Sequence, residues 1–282
     1  MTDTLPFQPV IILGAARSGT NMLRDILCQF NACATWPCDE INAIWRHGNL
    51  QWPNDQMPAH LARPEIRQFI RKAFIRQWRQ AGKPPVLIEK TCANTLRVPF
   101  VNAVFPEATY IHILRNGLDV IASAERRWNG QFELPILHYY LAKLRNVPRA
   151  DLPHYALAFL ENRAKRVLQP HAPLKIWGPQ CADIQVDDIS IAARCERQWA
   201  ACVTQCADAL GKLPAHKIHQ VRYEDLTANP LPAVIGLTRF LNVPAPEAEI
   251  KSAIAMIRPP RKAQRHTIAP TLQAPMKRFG YI

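Results

Sequence analysis

Val10-Ile11-Ile12-Leu13-Gly14-Ala15-Ala16-Arg17-Ser18-Gly19-Thr20-Asn21 is the stretch that decides the fold. A short apolar run, rich in β-branched residues, stops at a glycine, and a loop of small residues follows. Met22-Leu23-Arg24-Asp25-Ile26-Leu27 then begins a helical pattern. Strand, loop and helix in this order place free backbone N–H groups at a helix start, where they can hold a phosphate. The plainer alternative is a strand-to-helix turn that needs its glycines for geometry alone.

The spacing Gly14-x-x-x-x-Gly19 matches the nucleotide-binding P-loop, which continues with Lys and then Ser or Thr. Thr20 and Asn21 stand in those places, so the usual lysine is missing and Arg17, inside the loop, is the candidate cation.

Outward from the loop, the chain alternates strand-like and helix-like segments. Strands are predicted over 10–14, 86–90, 109–114 and 217–222. Helices are predicted over roughly 19–30, 65–80, 96–105, 118–127, 191–210 and 232–241, with a short one before Phe279. Residues 33–52 and 53–60 read as irregular. The run Thr109 to Leu114 is apolar enough for burial on both faces, as parallel sheets require. The prediction is a single α/β domain over 1–282, its central parallel sheet flanked by helices. Ligands in such folds sit at the carboxyl ends of the strands. Residues 128–190 are rich in proline and carry no decodable motif; they are expected to wall part of an acceptor site.

The 282 residues carry 35 Lys and Arg against 22 Asp and Glu, a net charge of +13, which favours a polyanionic partner without choosing one. No apolar run reaches the roughly 18 residues of a membrane span. Met1-Thr2-Asp3-Thr4 lacks the basic start of a secretory signal, so a cytoplasmic protein is expected. The eight cysteines form no Cys-x-x-Cys pair. Cys195, Trp199, Cys202 and Cys206 follow helical spacing and read as a core stripe. His112 reads as packed, the tryptophans Trp36, Trp45, Trp52 and Trp177 as mainly core, and the face Arg67, Arg71, Lys72, Arg76 and Arg79 as solvated.

Ile113-Leu114-Arg115-Asn116-Gly117 ends a buried strand, and Ser123 lies two turns into the next helix. A guanidinium fork and a hydroxyl suit a phosphate. Together with Arg17-Ser18-Gly19-Thr20-Asn21, and with Val221-Arg222-Tyr223-Glu224-Asp225-Leu226, these residues resemble the motifs of the sulfotransferase family. The resemblance implies a donor, 3′-phosphoadenosine 5′-phosphosulfate (PAPS), and a product, adenosine 3′,5′-bisphosphate (PAP). It implies that the first loop holds the 5′-phosphosulfate, that Arg115 and Ser123 hold the 3′-phosphate, and that Tyr223 lies near the nucleoside. Ile88-Glu89-Lys90-Thr91, Cys195-x-x-x-Trp199 and Cys38-Asp39-Glu40 look closest to the bacterial and tyrosylprotein-type branch. The tail Arg261-Lys262-Ala263 matches a basic motif of the family only without its glycine.

The implied reaction moves a sulfuryl group to a hydroxyl or amine of a small-molecule, glycan or peptide acceptor, with no metal and no nucleic acid. Arg17 and Lys90 would neutralise charge on the leaving phosphate oxygen. Glu40 would be the general base, with Asp39 second and His47 a chemical analogue. The bland alternative for Glu40 is a surface carboxylate or an ion pair with Arg46. Two other functions stay open: a P-loop small-molecule kinase, and a non-catalytic binder of nucleotides or polyanions.

Overall fold

The computed structural model describes residues 4–128, 146–157, 178–184, 189–258 and 268–282. Its five strands, β1 (Gln8–Leu13), β2 (Cys33–Thr35), β3 (Val86–Lys90), β4 (Thr109–Leu114) and β5 (Ile218–Arg222), form one sheet. Their order is β2-β3-β1-β4-β5, and every pairing is parallel. The loop-bearing β1 is therefore central, with Ile12 beside Lys90 on one flank and Leu13 beside His112 on the other.

The register explains the unbroken apolar run. Side chains alternate across a strand, and both faces of β1 are covered. Ile11 and Leu13 pack with α2 (Asn42–Arg46), α3 (Pro64–Gln80) and α4 (Val98–Val104). Val10 and Ile12 pack with α1 (Thr20–Leu27). Trp45, fully buried, meets Phe74, Phe100 and Phe105 edge-to-face at 5.6, 6.4 and 6.0 Å, which fixes α2 against the first of these layers. The helix following β4 is α5 (Gly117–Trp128), and the long α6 (Ile191–Leu210) packs on it. Cys195, Trp199, Cys202 and Cys206 are buried as the helical spacing predicts, and all eight cysteines are free thiols.

Several features differ from the sequence reading. Residues 33–52 are not irregular throughout: they hold β2, a three-residue edge strand, and the five-residue α2. Tyr223 opens α7 (Tyr223–Ala228) directly after β5, and α8 (Pro230–Leu241), α9 (Glu247–Ala255) and α10 (Pro270–Arg278) follow. Trp36 and Trp45 are core, Trp52 is partly buried, and Trp177 lies outside the described residues. Arg67, Lys72, Arg76 and Arg79 are exposed, but Arg71 is not simply solvated: it pairs with Glu107 at 2.7 Å and donates to the Val104 carbonyl. Most of 128–190 and the tail residues Arg261 and Lys262 also lie outside the described residues. No helix among the described residues is long and apolar enough to cross a membrane.

His112 is buried in β4 with its Nε2 unpartnered, and burial lowers the imidazole to about 4. A histidine held neutral in the fold loses stability as pH falls, because the unfolded chain takes up the proton first, near 6.5. Glu89, buried in β3, carries the opposite sign over an overlapping range, since burial raises its carboxyl to about 7. The difference between two proteins isolates the histidine. Urea unfolding of His112→Leu and wild type between pH 7 and 4 is expected to shift by roughly 3 kcal/mol in favour of the variant as pH falls. A constant difference across that range would mean that His112 does not titrate as a buried neutral group.

Candidate active site

The carboxyl ends of β3, β1, β4 and β5 carry the site, side by side. Neighbouring strands lie about 4.8 Å apart, so three steps across the sheet set the scale of an extended small ligand. Lys90 ends β3, the Gly14–Gly19 turn follows β1, Arg115 follows β4, and Tyr223 follows β5.

The turn is built around two left-handed residues, Arg17 with φ 74° and Gly19 with φ 91°. Ser18 N donates to the Ala15 carbonyl at 3.0 Å, which closes the turn, and α1 begins at Thr20. The first N–H groups of a helix have no intrahelical partner and favour an anion. A Cβ on Gly19 would lie 2.6 Å from Cδ2 of Tyr223, so the turn and the third motif are in contact. Gly19→Ala combines that clash with left-handed strain of about 1–2 kcal/mol. It is expected to lower stability by at least that amount in chemical denaturation; an unchanged midpoint would exclude the close packing.

The second motif joins the first directly. Arg17 Nε donates to Ser123 Oγ at 3.0 Å, and Arg115 Nη1 donates to the Arg17 carbonyl at 3.0 Å. The Arg115 guanidinium sits 4.1 Å from the centre of the Tyr223 ring, within cation–π range. Glu224 Oε1 accepts from Asn116 N at 2.8 Å, which fixes the backbone just past Arg115. Burial, then the charges of Arg127, Arg115 and Arg126, lower the proton affinity of Arg17. Positive charge is thus concentrated around one turn. Ser18 Oγ and Arg115 Nε are buried without a hydrogen-bond partner. Buried polar atoms are rarely left unmatched, and these two are donors suited to phosphate oxygens.

On the other side of the turn, Lys90 Nζ lies 3.2 Å from Glu40 Oε1, which also accepts from Cys92 N at 3.2 Å. Lys90 is only 4% exposed, so it is more than a strand-end charge. Burial favours the neutral Glu40 carboxyl, but Lys90 and the Cys92 amide outweigh it and hold the group below the usual carboxylate range. Lys90 is likewise raised, because Glu40 outweighs its burial. Thr20 Oγ1 lies 3.7 Å from Cys92 Sγ, and Asn21 Nδ2 donates to Asp39 Oδ2 at 3.3 Å. Glu40, Lys90 and the turn therefore share one neighbourhood.

The alternatives to Glu40 have partners of their own. Asp39 accepts from Arg24 at 2.9 Å, an ion pair that steadies the segment beside Glu40. Arg46 pairs with Asp55 at 3.3 Å, so the ion pair with Glu40 is not formed; the cation of Glu40 is Lys90. His47 Nδ1 lies 2.8 Å from Asp151, and its ring stacks on Phe69 at 3.8 Å. It lines a separate cavity of about 630 Å³ with Pro37, Arg76 and Arg149. Sequence reasoning did not find the supporting roles of Arg24, Glu224, Thr91 and Asn94. The one visible signal was Glu89, a carboxylate directly after the apolar run Val86-Leu87-Ile88.

A parallel α/β sheet with a glycine-bounded turn at its centre, and with Lys90 and Arg115 beside it, is an arrangement suited to phosphate. Residues 9–136 match the sulfotransferase family. The fold is that of sulfotransferases. It superposes on the sulfotransferase domain from the curacin biosynthetic pathway with a TM-score of 0.58 at 15% identity, covering 99% of each chain. It also superposes on a sulfotransferase from Alicyclobacillus acidocaldarius with a TM-score of 0.50 at 14% identity, covering 96% of this chain and 90% of the other. No curated protein matches the chain in sequence.

Proposed function

We propose that this chain is a PAPS-dependent sulfotransferase of the bacterial and tyrosylprotein-type branch, acting on a hydroxyl or amine of its acceptor. One observation carries the reading: Arg17, Ser123, Arg115 and Tyr223, drawn from three separate motifs, are in mutual contact around buried donors with no partner. The orphaned Ser18 Oγ and Arg115 Nε fit a ligand with phosphate at both ends. In this reading Arg17, Ser18, Gly19, Thr20 and Asn21 receive the 5′-phosphosulfate, Arg115 and Ser123 the 3′-phosphate, and Tyr223 faces the nucleoside. PAPS supplies an activated sulfuryl group with PAP as the leaving group.

The chain's own residues do the rest. Glu40 is ionised at neutral pH and can take the acceptor's proton, for roughly 10²- to 10⁴-fold. Lys90 and Arg17 bring positive charge to the leaving oxygen, where one preorganised donor is worth about 3–4 kcal/mol. While paired, Lys90 lowers the proton affinity of Glu40. When Lys90 turns to the phosphate oxygen, Glu40 becomes the stronger base as the proton must move. Residues 128–190 are the candidate wall for the acceptor.

Two measurements test the reading. Calorimetry should give saturable PAP binding that ATP with magnesium does not match. Sulfur-35 from labelled PAPS should pass to at least one member of a panel of phenols, sugars and peptides. Magnesium-dependent phosphate transfer from ATP would favour a kinase; PAP binding with no transfer to any acceptor would favour a non-catalytic binder.

A further inference from the structure

We propose that Glu89 is a positioning residue that holds Glu40 against Lys90 and Cys92; this rests on Glu40 being the base. Glu89 is fully buried at the end of β3, one residue before Lys90, so its side chain leaves the sheet on the opposite face from Lys90. Its two carboxylate oxygens hold two arms. Through one oxygen it accepts from the Thr91 hydroxyl, and Thr91 Oγ1 in turn accepts from the backbone N–H of Ile41 at 3.2 Å. Through the other it accepts from Asn94 Nδ2 at 2.8 Å. Asn94 Oδ1 accepts from Arg97 Nε at 2.8 Å, and Arg97 Nη2 donates to Asn42 Oδ1 at 2.6 Å.

The two arms thus grip Ile41 and Asn42, the two residues immediately after Glu40. Thr91, Asn94 and Arg97 are each at most 1% exposed, so water does not compete for these bonds. The Glu40 side chain is about a third exposed, and its carboxylate is bonded by Lys90 and Cys92 N. The two halves of that arrangement sit on different chain segments, 40–42 and 89–97. Glu89 is the group that both arms share. Losing it would release the Thr91 hydroxyl that holds Ile41 N and weaken the Asn94–Arg97 arm, and Glu40 would spend less time within reach of Lys90.

The charged and titratable groups acting on Glu40 are Lys90, Cys92 and Arg97, with Asp39 and Arg24 acting on Lys90 beside it. The Thr91 substitutions leave all five in place, so a change in the titration of Glu40 reports its position. The test follows the side-chain carboxyl carbons of ¹³C-labelled glutamate in the full chain by NMR as pH is lowered, with Glu40→Gln identifying the Glu40 signal. Burial already keeps Glu89 protonated at the pH where Glu40 titrates, so the informative variants remove the arms themselves: Glu89→Leu and Thr91→Val should each raise the Glu40 midpoint by about half a pH unit or more, as the attraction of Lys90 weakens. Thr91→Ser, which keeps the relay hydroxyl, should restore the wild-type midpoint. A merely structural role would lower stability and leave the midpoint alone.

The Thr91 pair decides the matter if Glu89→Leu does not fold. An unchanged midpoint in folded Thr91→Val, or the same shift in Thr91→Ser, overturns the proposal. PAP calorimetry on the same proteins separates this from the broader reading. Wild type that fails to bind PAP removes the sulfotransferase assignment, whereas PAP binding with an immobile Glu40 midpoint removes only the role of Glu89.

Discussion

Replacing Arg115 by alanine is expected to weaken PAP binding by about 2–5 kcal/mol, or roughly 30- to 4,000-fold, the cost of removing one partner of a buried charge pair. The size follows from how the guanidinium is held. One nitrogen donates to the Arg17 carbonyl, the plane lies over the Tyr223 ring, and Nε is buried without a partner. The side chain is ordered before any ligand arrives, so little of the interaction is spent on ordering it. Arg115→Lys is expected to recover only part of the loss, because an ammonium lacks the planar fork and stacks less well. Calorimetry reads both variants. Wild-type affinity in Arg115→Ala would remove Arg115 from the site.

Glu40→Gln is expected to lower sulfuryl transfer by about 10²- to 10⁴-fold while PAP affinity stays within a few-fold of wild type. Glutamine is nearly isosteric and can still accept from Cys92 N, but it cannot take a proton. Lys90 loses its carboxylate partner in this variant and is freer to meet phosphate, so affinity has no reason to fall. The pH dependence carries the same assignment. Lys90 and the Cys92 amide hold Glu40 ionised below the ordinary glutamate range, so the base is ready throughout neutral and mildly acidic pH. In the working complex Lys90 turns to phosphate and this hold weakens, so the acid limb of activity should lie at higher pH than the titration of Glu40 in the free protein. A fully active Glu40→Gln would return the role of base to Asp39 or His47.

The parts of the fold that could be read in the sequence are those where one local pattern sets the outcome. β1, β3 and β4 are mostly apolar and buried along both faces, because both faces of the sheet are covered. α6 spans Ile191–Leu210 as predicted, since its stripe is continuous and Ser190 caps it through the Ala193 N–H. β2 was missed because three residues show no period, and its strand character comes from pairing with β3. α9 was missed because only Ala253 along it is fully buried, which leaves almost no stripe. α8 begins two residues early because Pro230 occupies the first helical turn, where a missing N–H costs nothing.

The candidate site divides in the same way. Arg17, Lys90, Arg115, Ser123 and Tyr223 could be named from motifs. Their contacts could not, because Ser123 lies 106 residues from Arg17 and only the sheet order brings them together. The pairing of Glu40 with Lys90 across 50 residues was equally invisible, and Arg46, near in sequence, was the misleading partner.

The central claim is that the turn after β1 and the arginine after β4 hold opposite ends of one adenosine bisphosphate. Calorimetry of wild type and Arg115→Ala with PAP and with adenosine 5′-monophosphate, which lacks the 3′-phosphate, tests it most directly. The account predicts that the substitution weakens PAP binding by about 30-fold or more and leaves the monophosphate nearly unchanged. Equal losses for the two ligands, or no loss for either, would contradict it.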